Sequence, residues 1–108
     1  MVAWLILCVA GVFETVWALA MKASDGFSRP GWAALSLGAM AVSVVLLAWA
    51  LRSLPVGTGY AVWTGIGAAG AALMGMVLFH EPANPARLFF LGLILAGIIG
   101  LRLSSRGA

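Results

Sequence analysis

Four apolar runs, each long enough to cross a bilayer as a helix, leave this chain little freedom. A membrane helix needs about 17–25 predominantly apolar residues. The runs extend over about Val2 to Met21, Trp32 to Leu51, Val56 to Phe79 and Leu88 to Leu103, within a chain of 108 residues. Between them lie KASDGFSRPG, RSLP and HEPANPAR, which hold all four prolines and most of the charges. Backbone that leaves a helix needs water, so these segments belong at the two membrane faces. With 64% hydrophobic and 8% charged residues, against roughly 25% charged in soluble domains, no soluble core could hide the apolar surface. The expected fold is an all-α membrane protein, one domain over residues 1–108, with its four transmembrane helices gathered into a bundle.

The first run contains GVFETVWALAMK, Gly11 to Lys22, and in it the acid Glu14. The other two acids, Asp25 and Glu81, fall in the connections, where charge costs little. Glu14 sits slightly past the middle of its span, roughly 4 Å along the axis at 1.5 Å per residue. An ionised side chain at the bilayer centre costs about 2.5–3.5 kcal/mol on insertion scales. No Lys, Arg or His lies in the interior of any span to offset that cost. The partner of Glu14 is therefore a proton or a cation that arrives from outside. Burial disfavours the bare charge, and a second copy of the same carboxylate in a dimer disfavours it further. Protons and a cationic solute then compete for one group, the minimum requirement for coupled exchange.

At helical spacing the face of Glu14 carries Leu7, Ala10 and Gly11 before it and Trp17, Ala18 and Met21 after it. An indole N–H can hold a carboxylate and an indole ring can meet a cation, although Trp in a membrane helix is commonly an interfacial residue. The third span sets Tyr60, Trp63 and Gly67 on one face with Thr64 beside them. Such an aromatic stripe is usually packing, yet a tyrosine hydroxyl at membrane depth needs a polar partner. Ser43 adds a small donor in the second span, where a lone serine often bonds its own helix.

Several other readings are weaker. The +3 formal charge comes from scattered residues at span ends, where Lys and Arg reach for headgroups, so nucleic acid is not the expected partner. GIGAAG matches a dinucleotide fingerprint but lacks the strand and βαβ unit that give it meaning. Cys8 is the only cysteine and His80 the only histidine, which leaves no disulfide, no paired-histidine zinc motif and no nucleophile set for an enzyme. No cofactor or metal is expected. Ala18 to Ala20 resemble a signal-cleavage site, but no basic side chain precedes the run and Glu14 interrupts it, so the segment is read as a span. His80 and Glu81 are read as the end of the third helix.

Orientation is balanced. Arg52, Arg102 and Arg106 fall on one side of the membrane and Lys22, Arg29 and Arg87 on the other, three against three. Topology normally follows an excess of basic residues on the cytoplasmic side. A chain without that excess can insert both ways up and pair head to tail, unless one loop or the first helix dominates. In the last span Gly92, Ala96 and Gly100 recur every four residues with Gly97 beside them, the small-residue pattern that lets membrane helices approach closely. This face packs either within one subunit or in a dimer.

With these residues assembled, the chain resembles the small multidrug resistance family, and within it the guanidinium exporters. The resemblance covers nearly the whole chain: GVFETVWALAMK, SDGFSR, LPVGTGYAVWTGIGAAG, and EP followed by a helix ending LAGIIGL. It implies an antiparallel, dual-topology homodimer in the bacterial inner membrane that exchanges a cation for protons by alternating access. Glu14 from both subunits would form the shared site, with Ser43, Tyr60 and Trp63 lining it and Gly11 leaving room beside the acid. Trp17, three residues after the acid, is similar to the guanidinium branch, whereas the multidrug exporters usually carry a small residue there. Gly59 before Tyr60 and His80 before Glu81 depart from the branch pattern, and Gly59 would add flexibility near the site. A planar guanidinium presents pairs of N–H groups that match a carboxylate's two oxygens. The alternatives are a broader quaternary-ammonium exporter, a heterodimer with a second chain, and a non-transporting membrane subunit that assembles through the glycine face.

Overall fold

The computed structural model describes residues 2–104. It consists of four helices, α1 (Val2–Ala23), α2 (Pro30–Ala50), α3 (Val56–Leu78) and α4 (Pro85–Ser104). All four are long and apolar enough to cross a membrane.

The ends of the helices follow local chemistry. α1 stops where Asp25, Gly26 and Phe27 take φ of 51°, 71° and 66°, three consecutive left-handed residues that no helix can continue through. Buried Ser24 organises this turn: its Oγ donates to the Met21 carbonyl at 2.6 Å and accepts the Phe27 N–H at 3.0 Å. α3 ends at Leu78, and His80 turns the chain away at φ 57° while the Phe79 N–H still bonds the Gly75 carbonyl at 2.9 Å. α4 begins at Pro85, three residues before the Leu88 expected from hydropathy. The cause is a cap: Asn84 Oδ1 accepts the Arg87 N–H at 2.8 Å, and Pro85 needs no N–H partner in the first turn. Hydropathy cannot register so polar a first turn.

Packing centres on α1. α2 runs antiparallel to it, tied by two serines seven residues apart. Ser36 Oγ donates to the Trp17 carbonyl at 2.8 Å and Ser43 Oγ to the Ala10 carbonyl at 2.7 Å. Both serines are fully buried, so these bonds fix the register where no water can replace them. α3 runs parallel to α1, with Gly11 against Ile66, Glu14 against Gly67 and Thr15 against Gly70. α4 covers the far side of α3, where a Cβ on Gly65 would stand 3.0 Å from Ile98 and 3.4 Å from Ile94.

The helices thus lie in the order α2, α1, α3, α4 as a layer measuring 44 × 34 × 17 Å. The four expected helices are present and are arranged as a layer, in which α4 packs on α3 and makes no comparable seam with α2. The reason is visible in α4, where Leu91 is the one buried residue and the small residues lie on the other face. The apolar core gathers Trp4, Leu7, Ala10, Leu47, Ala50, Leu54, Val62 and Trp63 toward the end where α1 begins. Glu14 lies just beyond that cluster. The basic residues divide between the two ends, Lys22 near Phe79 and Arg87 near Glu81 at one, Arg102 over Trp4 at the other. Arg106, part of the charge tally, lies outside the described residues.

Candidate functional site

Glu14 is half-buried on the α1 face that meets α3. What makes room for it is an absent side chain. A Cβ on Gly67 would fall on the carboxylate itself, 2.5 Å from Cδ and 2.7 Å from Cγ of Glu14. The acid therefore lies directly on the α3 backbone, and only glycine permits that approach. Its Oε2 is buried and has no hydrogen-bond partner among the described residues. A buried polar atom without a partner is costly, so it marks either strain or a place for something to bind.

Trp17 was the expected indole donor to this acid. Its Nε1 is likewise buried and unpartnered among the described residues, so no Trp17–Glu14 hydrogen bond forms within one chain. One helical face thus carries an orphaned acceptor and, three residues later, an orphaned donor. The N–H edge of a planar cation suits the acceptor, whereas the indole N–H needs an oxygen such as a second carboxylate.

Ser43, Trp63 and Tyr60 come together as a chain of contacts. Trp63 Nε1 donates to Ser43 Oγ at 2.9 Å, and Ser43 in turn donates to the Ala10 carbonyl one turn before Glu14. Trp63 is nearly fully buried by this arrangement. Its ring stacks at a tilt on Tyr60, centroids 5.5 Å apart, while Tyr60 itself is 55% exposed on the open side. Serine thus locks the indole through one hydroxyl that both accepts and donates. Within one chain neither residue bonds Glu14; they form an aromatic wall one to two helical turns along α3 from Gly67.

Two glycines have roles other than those expected. The space beside Gly11 is filled by Ile66, whose Cγ2 would lie 2.6 Å from a Cβ there, so this glycine admits α3 rather than opening room for the carboxylate. Gly59 is buried with Leu51 against it, a packing role in place of the flexibility expected from sequence. In contrast, Gly92, Gly97 and Gly100 face open space, and Ala96 is exposed beside them. At 100° per residue this face points away from Leu91, Ile94 and Ile98, the side on which α4 meets α3.

Sequence reasoning passed over Thr15 and Ser36 and did not place Gly67 at the acid. Thr15 Oγ1 lies 3.3 Å from the Gly11 carbonyl on α1 and 3.3 Å from the Gly67 carbonyl on α3. The signal was present as Gly67 and Gly70, three residues apart on one helix face, with the adjacent pair Glu14 and Thr15 to fill the notches.

Four membrane-length helices and a single intramembrane acid held at a helix interface define a multi-pass membrane protein of a compact kind. Comparison with known proteins specifies it further. The family model described as Small Multidrug Resistance protein matches residues 2–94. A guanidinium exporter of Citrobacter freundii is 56% identical over 102 residues, covering 94% of this chain and 97% of the relative. A guanidinium exporter of Yersinia pseudotuberculosis is 59% identical over 103 residues, covering 95% and 99%. The chain belongs to the small multidrug resistance family of membrane transporters.

Proposed function

We propose that this protein exports guanidinium in exchange for protons, and that Glu14 is where the two compete. The observation that carries this reading is the buried, unpartnered Glu14 Oε2 at the α1–α3 contact. With no interior cation to pair it, the acid is satisfied by a proton or by the N–H edge of a guanidinium. The names of the relatives supply the substrate, and the chemistry suits it: guanidinium donates in plane to a carboxylate and can lie against indole rings.

The working unit is an antiparallel homodimer in the inner membrane. The flat layer supports this, since its exposed apolar residues and open α4 glycine face leave a surface for a second copy. In such a dimer, two Glu14 carboxylates share one cavity with Trp17, Ser43, Tyr60 and Trp63 from both chains. The site faces one side of the membrane, releases the cation as protons arrive, and returns protonated, because an ionised and empty Glu14 would be unpaired.

In proteoliposomes, guanidinium uptake driven by a proton gradient is expected with the parent protein and absent with Glu14→Gln. Equal transport by that variant would overturn the reading. Competition by a tetraalkylammonium ion checks the substrate: strong preference for the bulky ion, which has no N–H to donate, would point to a quaternary-ammonium exporter instead.

A further inference from the structure

We infer that Thr15 is a positioning residue for the Glu14 site, its hydroxyl setting how closely the α3 backbone covers the carboxylate. This assignment rests on the proposed role of Glu14 and adds a residue that acts through it.

Three observations converge. First, Thr15 and Glu14 are adjacent on α1 and fill adjacent notches on α3. Thr15 occupies the space a Cβ on Gly70 would take, with Cγ2 at 3.1 Å and Cβ at 3.2 Å from it, as Glu14 occupies that of Gly67. Second, the Thr15 hydroxyl reaches the carbonyl of Gly67, the very residue on which the carboxylate rests. It is the one side-chain hydrogen bond between α1 and α3 among the described residues. Third, the same hydroxyl is equally far, 3.3 Å, from the Gly11 carbonyl of its own helix.

A hydroxyl has one proton to donate and here two acceptors. When α3 lies against α1 the proton can serve Gly67; when α3 moves away it can serve Gly11, so the hydroxyl is never stranded. A movement of α3 across Glu14, as alternating access demands, then breaks an interhelical bond without leaving a buried donor unsatisfied. Thr15 thereby both seats Gly67 over the acid and allows it to leave. The methyl group keeps the Gly70 notch filled in either case.

The test uses Thr15→Val, which keeps the shape and deletes the donor, and Thr15→Ser, which keeps the donor. Full-length protein in proteoliposomes is assayed for guanidinium uptake over a range of concentrations. Only the bond to Gly67 joins the two helices, whereas back-bonding to Gly11 within one helix adds little, so Thr15→Val weakens the close arrangement more than the released one and is expected to lower kcat about two- to tenfold. KM is expected to stay within about twofold, since Thr15 does not touch the cation, and Thr15→Ser restores kcat. A merely structural role would instead lower the folded yield and melting temperature of both variants and leave the kcat-to-KM split unchanged. Parental kinetics in Thr15→Val would overturn the assignment, as would equal slowing by Ser and Val. With Glu14→Gln assayed in parallel, loss of transport there alongside a normal Thr15→Val removes only the role of Thr15, whereas transport by Glu14→Gln removes the underlying reading.

Discussion

At the scale of residues, the site is built from what is missing as much as from what is present. Gly67 contributes no side chain, and that absence places a carboxylate on helix backbone; Oε2 then has no partner among the described residues. Glu14 was legible as the acid that needs an outside partner, because that argument required only hydropathy and an inventory of charges. Its neighbour on α3 was not legible, since which glycine faces which residue depends on the register between helices. The Trp17 indole N–H shares the helix face of the acid but has no partner among the described residues, while the Trp63 indole is fixed by Ser43. Gly67→Ala tests the notch: overpacking at a fixed contact costs about 1–3 kcal/mol, enough to slow guanidinium transport by tenfold or more without loss of helical content. The measurement is uptake in proteoliposomes beside circular dichroism, and parental uptake would show that α3 does not need to lie so close.

At the scale of elements, each helix carries its instructions on one face. The two buried serines of α2 set its antiparallel register against α1, and the glycines of α3 set its closeness to the acid. All four spans could be read from hydropathy, and their ends came within three residues because prolines and charges mark the water interface. The start of α4 was missed where a polar cap of Asn84 precedes the apolar run. The small-residue face of α4 was visible in the spacing, but whether it served its own subunit was not. Its glycines look onto open space in the single chain. Gly97→Leu is therefore expected to leave the monomer's fold intact while shifting cross-linked dimer toward monomer and abolishing transport. Cross-linking in native membranes with circular dichroism decides this, and an intact dimer would move the contact to another face.

At the scale of the whole molecule, a layer 17 Å thin leaves most large apolar side chains of α4 uncovered. Lipid covers such surfaces, and in the proposed homodimer a second copy covers part of them. Composition foretold the membrane but not the layer, because hydropathy reports that a helix is apolar, not which neighbour it meets. Charge balance carries a separate consequence. The three-against-three count of basic residues in the sequence gives neither face the usual cytoplasmic excess. A reporter fused to the C-terminus is expected to show both orientations in comparable amounts, and adding two lysines to the RSLP loop is expected to collapse them into one. A single orientation in the parent chain would remove the basis for an antiparallel homodimer.

The central claim is that one intramembrane acid serves protons and guanidinium in turn. The most direct measurement is proton movement in sealed proteoliposomes on addition of guanidinium, with parent and Glu14→Gln side by side. The parent is expected to move protons opposite to guanidinium and to lose apparent guanidinium affinity as pH falls, since protons occupy the same carboxylate, while Glu14→Gln moves neither. Guanidinium flux without counter-moving protons, or undiminished flux in Glu14→Gln, would contradict the account.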